Sequence, residues 1–180
     1  MPMATMLILS IVMAVVYVAA VIIKDKALPD SVSALVYALP KGRCRWLWSA
    51  WLAVVTLLMA PALMTAMAES CWTQLLAAAT IISLAMTAAL PLWPGSHNRL
   101  HNILGILSGV LSQVCVWFIC PWYLMLWLLF VILLVLHAFP DVSWAAKIAD
   151  KTSGKGVFLL EAVCSAVLYT AIITAILSLQ

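Results

Sequence analysis

The sequence predicts an all-α fold: a polytopic transmembrane helical bundle with six spans and both termini outside the cytoplasm. Three observations carry this expectation. The chain is 67% hydrophobic and only 8% charged, with a mean hydropathy of +1.20. A soluble domain carries roughly 25% charged residues, so too little polar surface exists here to cover a water-facing globule. The apolar residues form continuous runs at 4–23, 46–67, 71–93, 99–119, 122–139 and 157–179, each close to the roughly 20 residues that cross a hydrocarbon core. Finally, all nine Lys and Arg residues fall on one side of the alternation that six spans create.

The first run, 4–23, ends at Lys24-Asp25-Lys26. No Lys or Arg precedes it, and it is longer than a signal-peptide core, so it is expected to be a retained anchor. The second run contains Pro61, which removes a helical hydrogen bond and favours a kink. Glu69-Ser70 separates it from the third run, where Ala77, Ala78, Ala79, Thr80, Ser83 and Thr87 suit close helix packing. Pro91 to Arg99 leads into the fourth run, and Cys120-Pro121 is expected to turn tightly into the fifth. The fifth, apolar on all sides from Leu124 to Leu136, reads as the most lipid-exposed and stops at Pro140-Asp141. Without water in the bilayer core, helices satisfy the backbone of such runs. A barrel is excluded, because its strands alternate apolar and polar residues over about 10 positions.

Orientation follows from the basic residues. Lys24, Lys26, Lys41, Arg43 and Arg45 lie between runs one and two, Arg99 between three and four, and Lys147, Lys151 and Lys155 between five and six. The turns at 68–71 and 120–121 hold none. The positive-inside rule makes the basic side cytoplasmic. Trp46, Trp48, Trp51, Trp93 and Trp144 are then expected in an inner aromatic belt, Trp72, Trp117 and Trp122 in an outer one, and Trp127 slightly deeper. Asp30 to Tyr37 reads as a capped helical turn on the membrane, and 141–152 as a short amphipathic helix on the inner leaflet. The small outer turns leave the cytoplasmic side for any soluble partner.

The chain forms one domain over 1–180, with no repeat and no low-complexity tail. It has no Gly-rich phosphate loop, no CxxC and no HExxH, and its dispersed +3 charge is no nucleic-acid footprint.

The fourth run has the clearest face. His101, Gly105, Ser108, Ser112 and Cys115 recur at helical spacing, flanked by Asn102, Gly109 and Gln113, with Leu and Ile on the other side. This predicts a polar bundle-facing stripe of Asn102, Ser108, Ser112 and Gln113. Gly105 and Gly109 are expected to let a neighbouring helix approach closely, within the chain or in a homo-oligomer. Cys71 and Cys120 fall at the outer ends of runs three and four, where a disulfide is one option and apolar packing the other.

One constellation can carry chemistry. His97, His101, His137, Asp141 and Glu161 all lie near the inner boundary. His97 and His101, like His137 and Asp141, are spaced i, i+4 and can share a helix face. Glu161 is the only acidic residue expected within a span, where ionisable groups are costly and mark function. The three imidazoles form a ligand set for zinc or another divalent metal. Glu161 or Asp141 would then serve as general base toward a lipid ester, amide or phosphate. The structural alternatives are a helix stop at Asp141 and an ion pair of Glu161 with Arg99 or Lys155.

Leu100-His101-Asn102 followed by a Gly/Ser-rich span, and Asp30-Ser31-Val32-Ser33 with Tyr37 after the first run, resemble small uncharacterised bacterial inner-membrane proteins with six spans. The resemblance touches about a third of the chain. It implies a bacterial inner-membrane location and a helical bundle, and no activity. The substrate-binding subunit of energy-coupling vitamin transporters is similar in size and span number. Its termini are generally inside, so the charge pattern here departs from it.

Three functions compete: a membrane protein that binds or moves a small solute or lipid, or serves as an accessory factor; a metal-dependent intramembrane hydrolase or transferase acting on lipids; and an oligomeric scaffold. The first accounts for the polar stripe and Pro61 and is the favoured expectation, with membrane lipids as surroundings.

Overall fold

The computed structural model of the protein describes residues 2–26, 28–29, 31–32, 45–92, 98–128, 131–132 and 155–179. Its regular structure among these residues is helical, without strands. Five long helices follow one another: α1 (Met3–Asp25), α2 (Arg45–Ala66), α3 (Cys71–Ala89), α4 (Asn98–Ile119) and α5 (Gly156–Ser178). A 3₁₀ turn, Leu90–Leu92, extends α3, and a second 3₁₀ segment, Pro121–Leu126, follows α4. The helices have 19 to 23 residues, which at about 1.5 Å per residue matches a hydrocarbon core about 30 Å thick. All five are long and apolar enough to cross a membrane, and the protein is a helical, membrane-integral bundle.

Local chemistry explains the boundaries. α1 ends where Lys26 enters the left-handed region, with φ 51°, a frequent way to stop a helix. Ser70 caps α3 through a reciprocal box with Thr73, and Thr73 Oγ1 also donates to the Met67 carbonyl at 2.7 Å. These bonds close the α2–α3 hairpin over the few residues around Glu69. Pro61 lies inside α2 on its exposed side, while Ala62 and Leu63 beside it are fully buried.

Side-chain bonds fix the helix directions. Ser10 Oγ donates to the Val55 carbonyl at 2.8 Å and Trp51 Nε1 to the Met13 carbonyl at 2.9 Å. As one partner climbs in number the other falls, so α1 and α2 are antiparallel. Thr80 Oγ1 meets Cys115 Sγ at 3.4 Å, and the Thr87 backbone lies beside His101, so α3 and α4 are antiparallel too. Gln113 Nε2 donates to the Cys164 carbonyl at 3.1 Å. The first turns of α4 and α5 both gather around Trp48, His101 directly and Glu161 through Val32. α4 and α5 are therefore parallel. α5 packs on α4 and α2 and touches α1, which closes the bundle.

The interior has two apolar clusters. One joins Leu7, Met59, Leu63, Ala77, Val116 and Ile172, with contributions from all five helices. The other, at the end where α2 begins, centres on Val21, Trp48, Trp51 and Val55. Several buried hydroxyls are satisfied within their own helices. Thr56, Thr80 and Thr87 donate to carbonyls four residues earlier, and Ser83 three residues earlier. Ser10 links three helices: its proton goes to Val55, so Tyr169 Oη, 2.5 Å away, donates to Ser10 Oγ.

The run expected to be a fifth span starts differently. Pro121–Leu126 is 3₁₀ rather than α-helical. Tyr123 Oη is held 2.6 Å from Thr174 Oγ1 on α5, and Trp127 Nε1 donates to Gln113 Oε1 at 3.0 Å. These cross-ties draw Tyr123, Leu124 and Leu126 onto the core, whereas Trp122, Met125, Leu128, Val131 and Ile132 are exposed. The remainder of that run, like the expected turn over Asp30 to Tyr37 and the helix at 141–152, lies mostly or wholly outside the described residues.

Tight packing, rather than water exclusion, holds helices together in lipid. Ala62→Leu, which adds atoms at a site with no exposure, should destabilise the protein by about 1–3 kcal/mol. Ile106→Ala on the exposed face of α4 should shift the midpoint little. Thermal unfolding in one detergent checks both.

Candidate functional site

The first turns of α2 supply the framework of the site. Trp48 and Trp51 are three residues apart, so they share a side of the helix, and that side faces inward: Trp48 is 1% and Trp51 8% exposed. The expected aromatic belt is corrected here. Indole prefers an interface because its N–H stays hydrated, but these two N–H groups have carbonyl acceptors, Val32 at 3.1 Å and Met13 at 2.9 Å. With the donor satisfied, the rings pack as core. Trp46 (56% exposed), Trp72, Trp117 and Trp122 do lie on the surface.

The two indoles form the middle of an aromatic ladder. Tyr17 of α1 stacks on Trp51 with ring centres 4.5 Å apart and planes inclined 19°. Trp51 meets Trp48 at 6.4 Å and 51°, and Trp48 meets His101 of α4 at 5.6 Å and 57°. Such offset and tilted arrangements are favourable for aromatic pairs. Val32, from the segment after α1, completes the wall. Its carbonyl accepts from Trp48, and its N–H donates to the Glu161 carboxylate of α5. Both backbone polar groups of one residue thus tie α2 to α5.

Two polar atoms in this wall are buried without a hydrogen-bond partner among the described residues: Tyr17 Oη and His101 Nδ1. An unpaired buried group costs about 1–3 kcal/mol. Native interiors therefore pair such groups or reserve them for a ligand or ordered water. The ladder presents a phenol from α1, an imidazole from α4 and a carboxylate from α5 around aromatic faces. Each of these groups can hydrogen-bond to a small polar molecule whose apolar part lies on the neighbouring indole.

Of the expected constellation, His101 and Glu161 share this end of the bundle through Trp48 and Val32. His97, His137 and Asp141 lie outside the described residues, so the convergence of three imidazoles with Asp141 is not seen. Among the described residues, no three His, Cys, Asp or Glu side chains come together as a metal site.

The stripe on α4 is resolved residue by residue. Ser108, Ser112 and Cys115 are buried, and Leu100, Ile103, Ile106, Leu107 and Val110 are exposed, as the helical period requires. Ser108 Oγ donates to the Gly105 carbonyl at 2.9 Å and Ser112 Oγ to the Gly109 carbonyl at 2.7 Å, so their polarity is spent within the helix. Gln113 is a clamp: its amide reaches Ser112 Oγ and the Cys164 carbonyl, and its oxygen accepts from Trp127. Asn102 departs from the expected bundle face and is exposed, because it sits a helical step to the side of His101, beyond the inward arc.

Within one chain, Gly105 and Gly109 do not carry the close approach expected of them. A Cβ at either would meet nothing within 4 Å. They flank the buried arc instead of lying on the line of contact, so no neighbouring helix among the described residues uses their small size. Cys71 is exposed, Cys120 is half-buried, and both are free thiols.

Sequence reasoning missed the ladder. The available signal is Trp48-x-x-Trp51, whose spacing puts both indoles on one side of α2. Comparison with known proteins gives no family: no family model, curated protein or solved structure matches the chain.

Gly105→Ala should be neutral or stabilising, by up to about 1 kcal/mol from helix propensity, since space is open there. Gln113→Leu should destabilise by about 1–2 kcal/mol, more than the roughly 0.6 kcal/mol average of one interhelical bond in membranes, because three bonds go at once. Thermal midpoints of the two variants against the parent test the assignment.

Proposed function

We propose that the chain is a six-span bacterial inner-membrane protein, with both termini outside, that binds or moves a small solute through the aromatic site at its basic end. The two unpartnered buried atoms, Tyr17 Oη and His101 Nδ1, carry the reading. A purely structural core gains by removing such atoms, whereas a binding site requires them. Glu161 adds a carboxyl acceptor on the third side.

The parallel course of α4 and α5 supports the sixth span. Two consecutive helices with the same direction need a return across the bundle between them, and the apolar run 122–139 is long enough to supply it. The helix ends carrying Lys24, Lys26, Arg45, Arg99 and Lys155 fall at one level, which supports a cytoplasmic assignment for that end. The resemblance to small bacterial inner-membrane proteins is consistent with that location.

The decisive variant is Tyr17→Phe. It removes one unpaired hydroxyl and keeps the ring on Trp51. Under the proposed function, the solute that co-purifies with the parent protein, identified by untargeted mass spectrometry of a denatured extract, falls at least about tenfold, as expected for a lost bond of about 1.4 kcal/mol, while the thermal midpoint is unchanged or higher. Equal solute content in both proteins would sink the reading. Stoichiometric metal that disappears in His101→Ala would direct attention to a metal-dependent hydrolase instead.

Topology has its own check. In intact cells expressing a variant with Cys71 as its sole cysteine, a membrane-impermeant maleimide should label this exposed thiol from outside. Labelling only after the inner membrane is opened would reverse the orientation.

A further inference from the structure

A groove of about 330 Å³ runs between α2 and α3, separate from the aromatic ladder, and is lined by Trp46, Ser49, Ala53, Ala85 and Ala88, with Ala50 and Ala89 at its rim. The α2 members are spaced i, i+3, i+4 and i+7, so they form one helix face. The facing residues on α3 are alanines at the same kind of spacing. It opens outward, where Ala50, Ala85 and Ala89 are exposed, and for a membrane-integral helix pair outward means the bilayer.

The groove is apolar except at one point. Ser49 is 3% exposed, and its Oγ has no hydrogen-bond partner among the described residues. Unlike Thr56, Thr80 or Ser108, which donate to carbonyls of their own helices, Ser49 leaves its donor unused against the groove. Its depth is informative. Ser49 is four residues beyond Arg45, the first residue of α2, or about 6 Å along the axis. Trp46, half-exposed at the mouth, sits at the level that indole prefers, between headgroup and hydrocarbon. Acyl-ester carbonyls of membrane lipids concentrate at that level, and the alanine floor continues from there toward the bilayer centre.

We propose that this groove binds one glycerophospholipid of the leaflet at the basic end, with an ester carbonyl accepting from Ser49 Oγ and the attached acyl chain lying along Ala53 and Ala85. A helix from a second copy is the weaker occupant. A second copy would also offer Ser49 an acceptor, since a helical carbonyl keeps a free lone pair, as Val55 shows with Ser10; what favours the lipid is the depth of Ser49, at the level where ester carbonyls concentrate. Alanine on both walls leaves room for a chain one methylene wide. The assignment needs only that the bundle is membrane-integral and does not depend on the solute site.

Native mass spectrometry of the full chain in mild detergent, titrated with ester-linked dioleoyl phosphatidylglycerol and with its ether-linked analogue, tests it. The wild type should retain one ester lipid about two- to tenfold more tightly than the ether lipid, the range of one net hydrogen bond. Ser49→Ala should erase that preference without changing the fold. Ala85→Phe, which fills the groove, should weaken both lipids at least about tenfold, while Ile106→Phe on the exposed face of α4 should not. Equal retention of the two lipids by the wild type would overturn the ester contact whatever the variants do. Undiminished lipid binding by a folded Ala85→Phe would overturn the groove as the site. A dimer that Ala85→Phe dissociates without loss of lipid would assign the groove to a second copy.

Discussion

A hydrogen bond inside a bilayer has no water to replace it. Every donor and acceptor that this chain carries into the hydrocarbon must find a partner within the protein or remain costly. Ser10 shows how the requirement shapes the bundle. With one proton to give, it donates to Val55 and receives from Tyr169, and the two bonds hold α1, α2 and α5 at one height. Elsewhere the same requirement turns hydroxyls back onto their own helices, at Thr56, Thr80, Thr87, Ser108 and Ser112. Those residues look like a polar path in the sequence and are electrically quiet in the structure. Gln113, too long to fold back completely, spans α4, α5 and the 3₁₀ segment. Polarity that is satisfied fixes geometry; polarity that is not satisfied stands out against it.

Much of the fold is legible because the bilayer imposes a length. The helices begin and end within a few residues of the apolar runs, since charge, Pro and Ser-capped turns stop a run where the hydrocarbon stops. The inward arc of α4 is legible for the same reason as any amphipathic helix: period alone separates Ser108, Ser112 and Cys115 from Ile103, Ile106 and Val110. What period does not contain is distance. It places Gly105 and Gly109 near the arc but not whether a neighbour reaches them, and none does among the described residues. Nor does composition distinguish an indole at an interface from one whose N–H has found a carbonyl. Trp48 and Trp51 were misplaced on that account, because their acceptors, Val32 and Met13, belong to a distant segment and a different helix. The 3₁₀ start of the run after Cys120 depends likewise on partners far along the chain, Thr174 and Gln113.

The candidate site was half legible. Glu161 was visible as an acidic residue within an apolar run, and His101 as the polar head of the α4 stripe. Their relation was not, since it passes through the backbone of Val32, which no side-chain pattern encodes. Tyr17 was invisible, being one aromatic residue in a span read as an anchor. Its significance comes from what it lacks, a partner for Oη, and a missing bond is a property of packing alone.

The way Val32 is held constrains the proposed binding at this end of the bundle. Its carbonyl and N–H occupy Trp48 and the Glu161 carboxylate, so the segment after α1 is tied to α2 and α5 by the same groups that wall the site. A solute that hydrogen-bonds with Tyr17 Oη and His101 Nδ1 satisfies atoms that are otherwise unpaired among the described residues and leaves the bonds of Val32 intact. A solute that also binds Glu161 must share the carboxylate with Val32 or displace it. The first kind of ligand leaves both bonds of Val32 in place, and the second exchanges one tie between α2 and α5 for another. Which of these a bound molecule does is set by whether it brings a donor to Glu161, and that single chemical property separates binding that leaves the Val32 N–H in place from binding that displaces it.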